Sequence, residues 1–230
     1  MPRKNPATEA MNSRPYVAPP DNGLDIRHID DSLIVVNKPS GLLSVPGRGA
    51  GKDDSLTSRV QAVYPEALTV HRLDMETSGL MVLARSKEMH RLLSILFQNR
   101  QMEKRYVAVV DGVLENSCGE IDLPLITDWP NRPLQKVDFE IGKPSLTRYC
   151  VLTHDAASNN TRVELKPETG RSHQLRVHLM SLGHPILGDS LYASPVLQAK
   201  APRLMLHADF LAFIHPLNGE RLALSCPAPF

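Results

Sequence analysis

One short polar segment of the chain contains a carboxylate that could act as a catalytic nucleophile. Asp74 lies within His71–Gly79, two residues after Arg72, and an apolar run follows directly. A carboxylate can form a covalent intermediate that divides one difficult reaction step into two easier ones. Polar side chains beside a buried strand otherwise need hydrogen-bond partners. The residue types alone favour a capped turn in which Asp74 accepts from backbone amides, so the assignment of a nucleophile needs companion residues.

Two other segments contain residues that could complete such a site. Arg176 follows Leu175 in a predicted helix and is expected at the edge of the buried face, where a guanidinium needs an acidic partner to offset its desolvation. Tyr106 opens a predicted strand, and its ring is either a core aromatic or part of the lining of a pocket. Five basic side chains are candidates for contacts with a phosphate backbone, namely Arg100, Lys104, Arg105, Arg132 and Lys136.

No segment has the spacing of a metal site or a nucleotide site. His173 and His178 are five residues apart, whereas two ligands on one helix face are four apart, and no acidic third ligand stands near them. We interpret both as structural histidines with hydrogen-bond partners. The glycines between residues 47 and 51 match neither the phosphate-loop pattern nor the dinucleotide-binding pattern. We therefore predict a protein without a cofactor and without a metal ion.

Composition favours one globular domain in the cytoplasm. The 230 residues are 42% apolar, which is enough for a well-buried core. The net charge of +1 is mild evidence against a broadly basic surface, although a local patch is sufficient to bind phosphates. Cys118, Cys150 and Cys226 are widely spaced and predict neither a zinc site nor a disulfide, as in a reducing compartment. No apolar run approaches the ~20 residues that cross a bilayer, and the N-terminus lacks the apolar region of a signal peptide.

The elements that would position these residues follow from hydrophobic periodicity. A helix with one apolar stripe, from Met89 to Phe97, follows Ser86 as its N-cap, and a second helix over residues 172–182 is closed by Gly183. Strands are predicted over residues 33–37, 80–84, 106–110, 146–152, 162–165 and 204–210. Because strands outnumber helices and alternate irregularly with them, we predict an α+β fold with a large mixed, mostly antiparallel sheet flanked by helices and loops.

The polar segments together resemble the motifs of the RluA-type pseudouridine synthases. His71–Gly79 resembles the signature of that family, and four other segments resemble its remaining motifs. The resemblance extends from about residue 29 to residue 230, and five ordered matches are far more specific than one. The matching segments, in chain order, are Asn37–Gly41, His71–Gly79, Lys104–Tyr106, Gly170–Arg176 and His184–Asp189.

The resemblance implies a role for each residue of a cofactor-free site that isomerises uridine to pseudouridine in RNA. Asp74 would be the nucleophile, Arg176 would pair with it, and Tyr106 would pack on the target base and accept its C5 proton. Arg72 would fill the space left by the uridine when it flips out of its stack. The other predicted substrate-binding residues are His71, Leu175, Arg132 and Lys104.

The same resemblance implies the domain organisation and the partners. Residues 28–230 would form one pseudouridine synthase catalytic domain without an S4-like domain, after a Pro-rich tail over residues 1–27 that is disordered or loosely docked. Asp128–Pro133 and Tyr192–Pro195 are similar to segments of a dual-specificity member of the family. We therefore predict that 23S rRNA and tRNA anticodon stem-loops are the partners of a monomeric protein that does not bind membranes.

Two alternatives remain open at this point. An aspartate-dependent nucleoside or glycoside hydrolase would share Asp74 but needs a second carboxylate at a matched distance, and Glu76 is the near candidate. A non-catalytic RNA-binding module would not need Asp74 and would have a stronger basic bias than the net charge of +1.

Overall fold

The computed structural model describes residues 15–230. This part of the chain forms twelve strands and four α-helices. The strands are β1 (Ile26–Ile29), β2 (Leu33–Lys38), β3 (Leu68–Thr69), β4 (Ser78–Ala84), β5 (Glu103–Asp111), β6 (Cys118–Asp122), β7 (Leu125–Thr127), β8 (Gln135–Val137), β9 (Leu146–Asp155), β10 (Asn160–Pro167), β11 (Leu206–Ile214) and β12 (Arg221–Ser225). The helices are α1 (Leu56–Val63), α2 (Lys87–Gln98), α3 (Gln174–Ser181) and α4 (Pro195–Ala199).

The predicted fold class is confirmed, because the protein is an α+β structure with a large mixed sheet. Ten of the twelve described strands belong to that sheet, and β7 and β8 form a separate two-stranded ladder. No helix within residues 15–230 is long and apolar enough to cross a membrane. The chain divides into two compact units, one with residues 17–107 and 206–230 and the other with residues 108–205.

The first unit is built on the neighbouring strands β1, β2, β4 and β11, with β3 paired to β4 and β12 paired to β11. Strands β2 and β4 are antiparallel, whereas β4 and β11 are parallel. Every residue of β4 is buried, which explains why its sequence is one continuous apolar run. Alternate residues of β2 enter two different cores, since Leu33 and Val35 pack with helix α2 while Ile34 and Val36 pack with helix α1.

Residues of the predicted tail are described from residue 15 onward, and residues 1–14 lie outside the described part. Residues 15–25 have no regular secondary structure. Ala18 and Leu24 pack against the core cluster that contains Val60. The guanidinium of Arg59 donates from Nη2 to the carbonyl of Pro19 at 2.6 Å. These contacts place residues 18–24 on the surface of the first unit, directly before β1.

The second unit contains the antiparallel neighbours β10, β9 and β6, the β7–β8 pair, and helices α3 and α4. Cys118 in β6 lies directly opposite Cys150 in β9, and the two form a disulfide. The prediction that the cysteines form no disulfide is therefore wrong. The two residues are 32 positions apart, and only the register between β6 and β9 brings them together.

The predicted helices differ from the observed ones mainly at their ends. Ser86 caps α2 as predicted, since its side chain accepts from the N–H of Met89. Helix α3 begins at Gln174 rather than at residue 172, because His173 adopts a left-handed conformation with φ of 54°. Gly183 has φ of +84° and terminates the helix as predicted. Short elements without a strong period, such as β3, β12 and α1, were not predicted.

Gly79 allows the first unit to pair β4 with β11 at the point where β4 begins. It has φ of +117°, and a Cβ there would overlap the backbone of Ala208 on the neighbouring strand. We expect Gly79→Ala to lower the free energy of unfolding by about 3 kcal/mol or more, because both the dihedral angle and the close approach oppose a side chain. Urea unfolding measures this loss.

A matched control separates these two causes. Gly219 also has a positive φ, of +74°, but a Cβ there would meet nothing within 4 Å. Gly219→Ala is expected to cost only about 1 kcal/mol, which is the conformational term alone. Equal losses for the two variants would contradict the importance of the contact with Ala208.

Candidate active site

Asp74 lies in the loop between β3 and β4, which has no regular secondary structure. Its side chain is partly buried, and its carbonyl accepts from the N–H of Thr77 at 3.1 Å. A loop of this kind cannot satisfy its backbone groups through a strand ladder. Its remaining carbonyls must therefore find donors elsewhere in the fold.

A buried lysine supplies the main donor. Lys38, at the end of β2, is fully buried. Its Nζ donates to the carbonyls of Pro39 at 3.0 Å, Leu42 at 2.7 Å and Met75 at 2.9 Å. The ammonium thus joins the turn after β2 to the residue that follows Asp74. An ammonium has three N–H donors, and three carbonyls at short range offset its desolvation.

Two serines hold the neighbouring backbone groups of the same loop. Ser44 Oγ donates to the carbonyl of Leu73 at 2.7 Å and accepts from its N–H at 3.1 Å. Ser40 Oγ donates to the carbonyl of Glu76 at 2.6 Å. The backbone on both sides of Asp74 is therefore fixed by side chains from the segment after β2. The motif residues Asn37–Gly41 contribute to the site through this support.

His71 braces the loop against β4. Its Nε2 accepts from the N–H of Val82 at 3.1 Å, and its ring stacks on Phe97 with the centroids 4.5 Å apart. Desolvation, together with the positive charge of Lys104, lowers the pKa of His71 to about 3. The ring is therefore neutral at physiological pH, and the proton resides on Nδ1, because Nε2 is the acceptor. These contacts support a bracing role, and the predicted contact of His71 with substrate stays a prediction.

Tyr106 lies in β5 and is electrostatically coupled to Asp74. Its side chain is partly buried. Desolvation and the negative charge of Asp74 raise the pKa of the Tyr106 phenol well above its usual range. The preceding residue, Arg105, places its guanidinium 3.7 Å from the centroid of the Phe210 ring. The first unit thus brings together the predicted nucleophile and the predicted base-packing aromatic, and the phenol there is neutral.

Arg176 lies in the first turns of α3, and a glutamine fixes the start of that helix. Gln174 Oε1 accepts from Thr169 Oγ1 at 2.7 Å and from the N–H of Arg171 at 3.0 Å. Its Nε2 donates to the carbonyl of Leu146 and to Thr147 Oγ1, both at 3.0 Å. The helix therefore begins at a fixed position against β9. Leu175, another predicted substrate-binding residue, is 8% exposed.

The acidic partner that Arg176 was expected to need is present, and the residue is Asp189. Arg176 Nε donates to Asp189 Oδ2 at 2.8 Å, and Nη2 donates to Oδ1 at 2.6 Å. The two side chains are 2% and 0% exposed. Sequence reasoning did not assign a role to Asp189. The signal that could have found it is its place at the end of the motif His184–Asp189.

The remaining predicted residues occupy several different environments. Arg132 places its guanidinium 4.5 Å from the centroid of the Trp129 ring, and Lys136 lies 3.3 Å from Asp138. Arg72 is exposed, and within residues 15–230 it has no hydrogen bond or ion pair. Such an arginine, two residues from Asp74, is available for an external partner.

The two histidines of the second unit have hydrogen-bond partners, as predicted. His178 bonds to Thr147 Oγ1 at 2.9 Å and to the carbonyl of Leu123 at 3.1 Å. His173 Nδ1 lies 2.6 Å from the hydroxyl of Tyr192. Among the described residues, no three His, Cys, Asp or Glu side chains are grouped as a metal site.

Comparison with known proteins decides the family. The model of the RNA pseudouridylate synthase family matches residues 32–181, which is more than half of the chain. The chain belongs to this family. It is an RNA pseudouridine synthase, an isomerase that modifies RNA.

The similarity to individual relatives extends over nearly the whole length of the synthase. It is 53% identical over 220 residues to the dual-specificity RNA pseudouridine synthase RluA of Escherichia coli strain K12, covering 96% of this chain and 100% of that protein. It is 54% identical over 215 residues to the protein of the same name from Pasteurella multocida, covering 94% and 98%. The solved structure of human RNA pseudouridylate synthase domain containing 1 has a TM-score of 0.76 and 30% identity, and covers 93% of this chain and 87% of that chain.

Removal of the buried ammonium tests the support of the loop. Lys38→Met keeps the length of the side chain but leaves the carbonyls of Pro39, Leu42 and Met75 without that donor. We expect the free energy of unfolding to fall by about 3 kcal/mol or more, as measured by urea unfolding. Lys52→Met is the control, because Lys52 is exposed, and its expected change is within about 0.5 kcal/mol. A similar small change for Lys38→Met would show that the loop does not depend on this contact.

The neutral imidazole of His71 predicts a pH dependence of stability in the synthase. Its pKa of about 3 in the folded protein lies below the usual 6.5, so the unfolded chain takes up the proton first as the pH falls. The contribution of neutral His71 to the free energy of unfolding is therefore fully present above about pH 6.5 and is lost as the pH falls towards 3. His71→Gln keeps an acceptor for Val82 and removes this titration.

Urea unfolding at several pH values measures the effect. Between pH 6.5 and pH 5 the wild type should lose about 1–2 kcal/mol more than His71→Gln. If the two proteins lose the same amount, the imidazole is not held neutral by the fold.

Proposed function

We propose that Asp74, Tyr106 and Arg176 form the catalytic site of this synthase. The observation that carries the proposal is the loop of Asp74, which is fixed by Lys38 and lies within electrostatic reach of Tyr106. Catalysis requires reacting groups that are already in place, because disorder in a loop would have to be removed in each turnover. The pairing of Arg176 with Asp74 is part of this proposal.

The reaction needs no redox change and no external energy. The bond between C1′ of the ribose and N1 of uracil breaks, the base turns, and C1′ joins C5, while C5 loses a proton and N1 gains one. Asp74 either attacks C1′ or removes the 2′ proton, and both routes need its ionised carboxylate. In this proposal Arg176 fixes the orientation of that carboxylate through charge-assisted hydrogen bonds. The residues of the site therefore suffice without a cofactor.

Tyr106 acts through its ring and its neutral hydroxyl. The raised pKa of its phenol keeps the proton on the oxygen at physiological pH. A neutral phenol is a weak base, so packing against the base is its main contribution. This narrows the role implied by the family resemblance, in which the same residue also accepts the C5 proton.

The target uridine must leave its stack before its glycosidic bond can be reached, at a cost of a few kcal/mol. Arg72 is exposed and has no partner within residues 15–230. A guanidinium can stack on the exposed neighbouring bases and contact phosphate at the same time. Arg72 therefore fills the vacated space, and Lys104, Arg132, His71 and Leu175 complete the substrate contacts.

We infer that the substrates are one uridine in 23S rRNA and one in the anticodon loop of tRNA. Two relatives that are 53% and 54% identical over nearly the whole chain are named dual-specificity RNA pseudouridine synthases, which supports two kinds of RNA substrate. The family resemblance implies which two RNAs these are. Single-stranded loops are the usual targets of sequence-specific RNA recognition. In this proposal residues 28–230 form the catalytic domain of a monomeric cytoplasmic enzyme.

Mapping of pseudouridine in unmodified RNA tests both parts of the proposal. Purified protein is incubated with tRNA and 23S rRNA transcripts, and pseudouridine is located by carbodiimide-dependent stops of reverse transcription. We expect one new stop in each RNA with the wild type and none with Asp74→Ala, because loss of the nucleophile removes the first step. Activity of Asp74→Ala would refute the catalytic assignment, and stops in one RNA alone would refute dual specificity.

Glu76→Gln is the matched control for the carboxylate. It changes the other carboxylate of the same loop, which the hydrolase alternative would need. We expect pseudouridine formation to persist in this variant at a rate within about threefold of the wild type. Release of free uracil by the wild type that is lost in Glu76→Gln would instead favour the hydrolase.

A further inference from the structure

The carboxylate of Asp189 is saturated with donors from two directions. Oδ1 accepts from Arg176 Nη2 at 2.6 Å and from the backbone N–H groups of Leu191 at 2.8 Å and Tyr192 at 3.0 Å. Oδ2 accepts from Arg176 Nε at 2.8 Å. A carboxylate held by two backbone amides cannot rotate freely. The bidentate contact therefore sets the plane of the guanidinium, and the position of Asp189 decides the direction in which Arg176 points.

Tyr192 forms a second restraint on the same guanidinium. Its ring centroid lies 5.2 Å from Arg176 Cζ. Its hydroxyl accepts from the backbone N–H of Gln135 at 2.9 Å and lies 2.6 Å from His173 Nδ1. The ring is therefore held at its hydroxyl end by Gln135 of β8 and by His173, the residue before α3. The backbone N–H of Tyr192 donates to Asp189 Oδ1, which fixes the backbone end of the same residue.

A guanidinium has five N–H donors, and the contact with Asp189 uses two of them. The same side chain can thus bind Asp189 and a second carboxylate at once. The orientation of the Arg176 guanidinium depends on its protein partners, because Arg176 is only 2% exposed and Asp189 is 0% exposed. Water cannot readily replace a lost partner in such a place, so a change in Asp189 alters the position of Arg176 directly.

We propose that Asp189 and Tyr192 are positioning residues that orient the guanidinium of Arg176 for the isomerisation. The proposal rests on the catalytic role of Arg176 proposed above. Neither residue touches the substrate in this account. Both act through Arg176, which they hold in one orientation before the RNA binds.

Asp189→Asn is the principal test. The amide keeps the volume of the carboxylate, but its nitrogen cannot accept, so one of the two bonds to Arg176 is lost. We expect the single-turnover rate of pseudouridine formation to fall about 100-fold, while the dissociation constant for the RNA changes less than about threefold. Asp31→Asn is the control, because Asp31 is exposed and its rate should equal that of the wild type. A wild-type rate for folded Asp189→Asn would overturn the proposal.

A double variant shows whether Asp189 acts through Arg176. Arg176→Lys removes the planar fork, so there is no orientation left for Asp189 to set. Adding Asp189→Asn to Arg176→Lys should then change the rate less than about threefold. Loss by the full single-variant factor in this background would show that Asp189 acts independently and would overturn the proposal.

Two further variants keep the outcome decisive. If Asp189→Asn does not fold, as judged by circular dichroism, Tyr192→Phe takes its place, since it keeps the ring and removes the hydroxyl. We expect about a tenfold lower rate with unchanged RNA affinity, and a wild-type rate would overturn the proposal. Asp74→Ala in the same assay distinguishes failure of the proposed catalytic site from failure of the positioning role. If it stays active, the proposed catalytic site fails, whereas an inactive Asp74→Ala beside a fully active Asp189→Asn refutes only the positioning role.

Discussion

The position of the proposed nucleophile depends on the buried ammonium of Lys38. The loop that contains Asp74 has no strand partner, and its backbone carbonyls would lose their hydrogen bonds to water on burial. Lys38 donates to the carbonyl of Pro39, in the turn after β2, and to the carbonyl of Met75, the residue after Asp74. One charged side chain thus joins two segments that are distant in sequence. Ser40 and Ser44 donate to the carbonyls of Glu76 and Leu73 in the same loop, so these backbone groups have partners although the loop pairs with no strand.

The second unit uses a buried charge in a related way. Arg176 and Asp189 are almost completely buried, and desolvation of such a pair is costly unless every group is satisfied. The bidentate geometry, together with two backbone amides on the carboxylate, satisfies Asp189 and two of the five N–H donors of Arg176. In the first unit a buried ammonium fixes a local backbone segment, and in the second unit a buried ion pair fixes a side chain. In both units the directional hydrogen bonds, rather than the charge itself, fix where the backbone of the Asp74 loop and the side chain of Arg176 lie.

Burial also determines which groups are charged in the first unit. His71 is neutral because desolvation lowers its pKa to about 3, whereas the phenol of Tyr106, already neutral at the usual pKa of 10, has its pKa raised further by desolvation and by Asp74. Neither side chain is therefore a strong general base at physiological pH. The proposed chemistry relies on the carboxylate of Asp74, which either attacks C1′ or removes the 2′ proton.

Local patterns in the sequence were sufficient for the long elements and for the family. The apolar run of β4 and the N-cap of α2 depend on neighbours within a few residues, so they were predicted correctly. The motifs around Asp74, Tyr106 and Arg176 indicated the family through their residue types and their order along the chain. The short strand β3 was not predicted, because two residues are too few to show a period.

Only the tertiary structure decided which distant groups meet. The bond from Lys38 to Met75 spans 37 residues, and the disulfide between Cys118 and Cys150 spans 32. Asp189 became the partner of Arg176 because the loop after α3 returns to that helix, which no local period encodes. Sequence periodicity reports which face of an element is buried, whereas the register of strands and the path of loops decide what that face touches.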